Sequence, residues 1–128
     1  MLYGPGDDVL FRVNAGGSVL EGDPAWEADT GNMPSNYLDL VAFNSSPAST
    51  ELPVSLDDAS IPLGTPAALF QTERYDLIGG SEMSWNFPLD PGQYEVRLYF
   101  AETFEYAQSP GFRVFDVAIE GNLVLDDY

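Results

Sequence analysis

The chain has 128 residues, with 21 acidic side chains against four basic ones, a formal charge of −17, and neither cysteine nor histidine. All four bases are arginine, and the joint absence of cysteine, histidine and lysine excludes thiol nucleophiles, Ser-His-Asp triads, Schiff-base lysines, His-ligated zinc and disulfides. The acidic balance argues against nucleic acid and anionic membrane surfaces as partners. A content of 45% hydrophobic and 13% aromatic residues separates the chain from disordered acidic tails.

The length suits one domain spanning residues 1–128. No apolar run approaches the roughly 20 residues of a membrane span, so no membrane insertion is expected. The lead Gly4-Pro5-Gly6-Asp7-Asp8 is polar rather than a secretory leader. It reads as a domain cut from a larger secreted protein, extracellular or at the cell surface.

Residues 9–14 form a first expected strand. Residues 15–66 are rich in Gly, Pro, Ser, Asn and Asp, with strand-like stretches only at 38–43 and 52–56. A long irregular stretch of this kind inside a compact domain is often functional. Residues 67–72 read as another strand. Met83, Trp85 and Phe87 alternate, and Tyr94, Val96, Leu98 and Phe100 alternate with Glu95, Arg97 and Tyr99. With Asp90-Pro91-Gly92 as a turn, 82–88 and 93–102 are expected to pair as a hairpin. A second hairpin joins Phe115, Val117 and Ile119 to Leu123-Val124-Leu125 through Gly121-Asn122. No window carries a sustained helical period. The expected fold is all-β, an antiparallel β-sandwich of jelly-roll kind that can be incomplete at the C-terminus.

With His, Cys and Lys absent, the one plausible catalytic arrangement is a carboxylate pair drawn from Glu73, Glu102, Glu105 and Asp116. No spacing singles out such a pair, and the expectation is that the chain is not an enzyme. A structural Ca2+ would draw on Asp7-Asp8, Asp57-Asp58 or Asp126-Asp127, although none has the Asp-x-Asp-x-Asp-Gly pattern. Turn-forming aspartates account for the same pairs. No other cofactor is required.

The aromatics carry a sharper signal. Tyr37, Tyr75, Phe104 and Tyr106 fall in loops, at strand ends or on the polar side of a strand, as do Tyr3, Trp26, Phe43, Tyr99 and Tyr128. Sugar rings present apolar C–H faces edged by hydroxyls, which flat aromatic faces with acid or amide acceptors at the rim can grip. Phe104-Glu105-Tyr106 is that mixture. Stapling of loops onto the core is the competing role for each ring.

Four blocks resemble the malectin family of carbohydrate-binding domains. They are Phe11-Arg12-Val13-Asn14-Ala15-Gly16-Gly17, Phe70-Gln71-Thr72-Glu73-Arg74-Tyr75, the stretch from Tyr94 to Glu102, and Arg113-Val114-Phe115-Asp116-Val117. The resemblance implies a β-sandwich that binds α-linked glucose oligosaccharides without catalysis, through loop aromatics at one end. It implies that Tyr75, which closes the second block, touches sugar. The aromatic pair that follows the Phe-Ala-Glu strand end in the family is here Phe104 and Tyr106, split by Glu105, with Phe104 the better match. Tyr37 is the nearest counterpart of a further loop tyrosine. Because all four arginines lie in these blocks, they are expected to pair with the motif acids.

The family continues with further strands beyond Leu125-Asp126-Asp127-Tyr128, in a segment that holds its sugar-contacting aspartate. The expected partners are therefore an oligosaccharide or glycan, and a C-terminal complementary segment or second chain completing the sheet. A structural or protein-interaction sandwich that has lost sugar binding is the alternative reading.

Overall fold

A computed structural model describes residues 1–3, 8–40 and 44–128. Asp7 and residues 41–43, with Phe43 and the end of the strand expected at 38–43, lie outside the described residues. The strands are β1 (Leu2–Tyr3), β2 (Val9–Phe11), β3 (Val13–Ala15), β4 (Glu27–Asp29), β5 (Ser45–Ser49), β6 (Thr72–Asp76), β7 (Glu95–Val96), β8 (Val117–Ile119) and β9 (Asn122–Leu125). Two single turns of 3-10 helix, Ala67–Phe70 and Glu105–Ala107, complete the set. Among the described residues there is no α-helix, and no helix long and apolar enough to cross a membrane. The chain is all-β, in small sheets consistent with a β-sandwich.

Pairing is antiparallel in β2-β1-β7, β5-β6 and β8-β9, and parallel in β3-β4. The expected first strand is present but splits at Arg12 into β2 and β3. The β8-β9 hairpin is also present. Its turn residues Glu120 and Gly121 have φ of 50° and 77°, the left-handed pair that a tight two-residue loop uses, one position earlier than the sequence suggested.

Three expectations are corrected. The strand expected at 67–72 is a 3-10 turn, and β6 begins only at Thr72. Leu69 and Phe70 are buried, and the amides of Leu69 and Gln71 close short turns onto the carbonyls of Pro66 and Ala68. The hairpin expected between 82–88 and 93–102 does not form. Ser84 and Asn86 pair instead with Asp39 and Tyr37, at 3.0 and 2.7 Å, while β7 pairs with β1. Finally, Ser45–Ser49 is a strand although its sequence, Ser-Ser-Pro-Ala-Ser, carries no strand pattern. It forms because the whole of β6 runs opposite it, from Ser45 against Asp76 to Ser49 against Thr72. Tertiary pairing overrides weak β propensity.

The interior has an apolar and a polar part. Trp26 and Phe70 are buried, and both meet the ring of Tyr99 edge-on, at 5.6 and 6.0 Å. Tyr99 therefore faces the core, whereas Val96, Leu98 and Phe100 are exposed, the reverse of the sidedness read from the alternation. Phe100 packs instead against Phe115 and Tyr128 at 5.2 and 5.4 Å.

The polar part is centred on Asp29, whose side chain is fully buried. Its two carboxylate oxygens accept from Arg74 Nε at 2.5 Å and Arg74 Nη2 at 2.9 Å. They also accept the amides of Gly16 and Ser35, both at 2.9 Å. Beside this pair, Thr72 donates to the buried side chain of Asn14 at 2.8 Å, and Asn14 donates to the Ser18 carbonyl. Gly16 has φ of +76°, and a Cβ there would overlap the Glu73 carbonyl oxygen, so the turn after β3 can lie against β6 only with glycine at this position.

Candidate functional site

Side chains alternate across a strand, so one face of β6 and of the residue before it carries Gln71, Glu73 and Tyr75, and the other carries Thr72 and Arg74. The second set enters the buried polar cluster. The first set faces outward, with Ala48 opposite Glu73 and Ser46 opposite Tyr75. A cleft of about 160 Å³ lies along this outer face. The end of β5 with Ser49 and Thr50 forms one wall, Gln71 and Glu73 lie along the strand, and Thr103 and Phe104 form the far rim.

The rim is a short, pinned turn. The Phe104 amide donates to Glu102 Oε1 at 2.8 Å, and the Ala107 amide donates to the Phe104 carbonyl at 2.8 Å. Ala107 is buried and ties the turn down, which leaves Phe104 49% and Tyr106 74% exposed. Their rings meet edge-on at 5.6 Å. Glu105 between them is exposed. Tyr75 is 39% exposed and sits one alternation beyond Glu73, about 7 Å farther along β6.

The structure thus brings Phe104 and Tyr106 together at one rim, with Glu105 between them. It places Tyr75 on the strand face that continues past the cleft. Tyr37 is not joined to them by any described contact. Its ring packs against Phe11 at 5.1 Å and Phe87 at 4.9 Å, and its hydroxyl donates to Glu27 Oε1 at 3.4 Å. Partial burial, then the Glu27 charge and this hydrogen bond, raise the Tyr37 phenol above its ordinary value. Trp26, expected in a loop, and Tyr99, expected on the polar face of its strand, belong to the core.

Three arginines pair with acids, as the sequence suggested. Arg74 pairs with Asp29, Arg97 with Glu95, and Arg113 with both Glu73 and Glu102, at 3.1 and 3.2 Å. The fourth, Arg12, lies over the Trp26 ring at 5.2 Å and donates to the Pro24 carbonyl. Sequence reasoning had not singled out Asp29, nor the cleft-lining Gln71, Thr103, Ser49 and Thr50. The alternation within Gln71-Thr72-Glu73-Arg74-Tyr75 was the available signal for Gln71, since it sets positions 71, 73 and 75 on one face.

Of the aspartate pairs weighed for calcium, Asp57 and Asp58 serve turns. Asp57 accepts from Ser55, and Asp58 accepts from the Ser60 hydroxyl and amide at 2.7 and 2.8 Å, which lowers its carboxyl below the usual range. Asp126 and Asp127 join Asp116, with carboxylate oxygens within 4.8 Å of one another, all on exposed residues.

The malectin domain profile matches residues 9–128. The chain belongs to the malectin domain family. Comparison with curated proteins gives no match, and comparison with solved structures gives none.

Proposed function

We propose that this malectin domain is a non-catalytic carbohydrate-binding module of a larger secreted protein, taking α-linked glucose oligosaccharides or related glycans. The family points to carbohydrate binding in general. The observation that carries the reading to these residues is the exposure of Phe104 at the rim of a cleft lined by Ser49, Thr50, Gln71, Glu73 and Thr103, with Tyr106 packed against Phe104 and Tyr75 farther along β6, both exposed. Buried side chains at 75 and 104 would have argued for loop stapling instead. Phe104 and Tyr106 supply flat apolar surface for the C–H face of a pyranose ring, and Tyr75 supplies a second platform farther along β6. Glu73, Glu105 and Gln71 supply acceptors for hydroxyls, and Ser49, Thr50 and Thr103 can donate or accept. Tyr37, engaged with Phe11, Phe87 and Glu27, takes no part in this site.

Each stacked ring contributes about 1 kcal/mol, which sets the affinity in the micromolar to millimolar range. Calorimetric titration with maltose- and nigerose-type disaccharides tests the proposal. Saturable binding that weakens in Tyr75→Ala and Phe104→Ala is expected. Flat titrations across a broad glycan panel would remove the reading.

A second reading, a structural or protein-interaction module, is favoured by one observation. Leu98, Phe100, Val114, Leu123 and Val124 are exposed on the C-terminal half of the chain, a distribution that suits coverage by further polypeptide.

A further inference from the structure

Arg113 is separated in sequence from the residues that form the cleft, yet it is the group that ties the two sides together. Its Nη1 donates to Glu73 Oε2 at 3.1 Å, and its Nε lies 3.2 Å from Glu102 Oε2. Glu73 lines the cleft on the outer face of β6. The other oxygen of Glu102 accepts the Phe104 amide at 2.8 Å. A continuous path of ion pairs and hydrogen bonds therefore runs from the strand carrying Tyr75, through Glu73, Arg113 and Glu102, to the turn carrying Phe104 and Tyr106. We infer that Arg113 is a positioning residue: it sets the width of the cleft and the orientation of the Phe104 platform without itself needing to touch sugar.

The residue type fits this role. A guanidinium presents five N–H donors in a rigid fork, so it can hold two carboxylates in fixed directions at once, whereas an ammonium is a point charge on a flexible stem. Without Arg113, Glu73 and Glu102 would be left as neighbouring like charges with no cation between them, and the Phe104 turn would lose the group that holds its acceptor in place. The side chains of Arg113, Glu73 and Glu102 are 37%, 31% and 29% exposed. Ion pairs this accessible to water add little to global stability. Loss of Arg113 is therefore expected to disturb the site while leaving the fold intact.

The inference rests on the carbohydrate-binding reading for its functional consequence, but its structural half can be measured without sugar. Three proteins are compared with the parent: Arg113→Gln, Arg113→Lys, and Arg97→Gln, which removes the same charge from a surface pair away from the cleft. Backbone ¹⁵N relaxation in the absence of ligand reports order at residues 102–107. Those order parameters are expected to fall in Arg113→Gln, to fall less in Arg113→Lys and to stay at the parent values in Arg97→Gln, with thermal melts nearly superimposed.

With a maltose-type disaccharide, Arg113→Gln is expected to raise Kd about fivefold, the same order as loss of one stacking ring. In a Phe104→Ala background the same substitution is expected to add nothing, because the ring it positions is already gone. Unchanged order and unchanged affinity in Arg113→Gln would overturn the inference. Losses that add in the double variant would overturn it in favour of direct contact between Arg113 and sugar. If the parent binds no sugar while the 102–107 turn still loosens in Arg113→Gln, the carbohydrate reading fails and the positioning role stands.

Discussion

Glu73 and Arg74 are neighbours on β6, and each makes an ion pair, but the two pairs sit in opposite environments. Arg74 points inward to Asp29, with side-chain exposures of 3% and 0%, and every oxygen of the acid is taken by a guanidinium or amide donor. Glu73 points outward to Arg113, where both side chains remain about one-third exposed. One strand thus separates a buried ion pair from one exposed beside the cleft. The physical difference is the medium. Removing one member of a buried pair strands a charge that water cannot reach, whereas an exposed partner is rehydrated.

The largest effect expected from this contrast is at Asp29. Asp29→Asn leaves Arg74 charged and buried, and a loss of about 3–5 kcal/mol is expected, a large part of a small domain's stability. Urea unfolding followed by tryptophan fluorescence measures it. An unchanged midpoint would break the distinction between the two pairs.

On the outer side the effects appear in binding rather than folding. Phe104→Ala and Tyr75→Ala should each weaken disaccharide binding by about 1 kcal/mol, roughly fivefold in Kd, with melting temperatures close to the parent. Tyr37→Phe should leave affinity unchanged, since its ring lies with Phe11 and Phe87.

Salt sharpens the comparison. A charge of −17 on 128 residues makes the folded chain self-repelling, so the melting temperature of the parent should rise with sodium chloride. The deficit of Asp29→Asn should persist at high salt because the buried pair is sheltered from counterions. The difference in turn order between parent and Arg113→Gln should shrink, since the exposed pair is screened within about 3 Å at 1 M salt.

The smallest effect is at Tyr37, whose phenol is raised above its ordinary value near 10 by partial burial and by Glu27. Its contribution to stability is therefore complete below pH 10 and is lost as pH rises through the raised folded value. Ultraviolet titration should show one late-ionising tyrosine, and Glu27→Gln should bring it back toward the ordinary value.

Local patterns were legible where the chain makes its own contacts. The β8-β9 hairpin, a first strand within 9–14 and the lack of α-helix among the described residues followed from alternation and turn residues, whereas the break at Arg12 did not. Long-range pairing was not legible in the same way. Nothing in Ser-Ser-Pro-Ala-Ser marks a strand until β6 lies beside it, and the segment 84–86 has an apolar alternation that fits 37–39 as well as 93–102. The alternation sets Tyr99 on the face of Glu95 and Arg97, but Trp26 and Phe70 recruit its ring to the core. In the site, Tyr75, Phe104, Glu105 and Tyr106 stood out through turn position and family resemblance. Asp29 did not, because one acid among 21 acquires its meaning only from the two amides and the arginine that surround it.

The most direct test of the central claim is an amide NMR titration of residues 1–128 with a maltose- or nigerose-type disaccharide. Saturable shifts concentrated at residues 46–50, 71–75 and 103–106 are expected, with Tyr37 and its neighbours unmoved. Saturable shifts centred on Tyr37, Phe11 and Phe87, or no shifts with any member of a broad glycan panel, would contradict that claim.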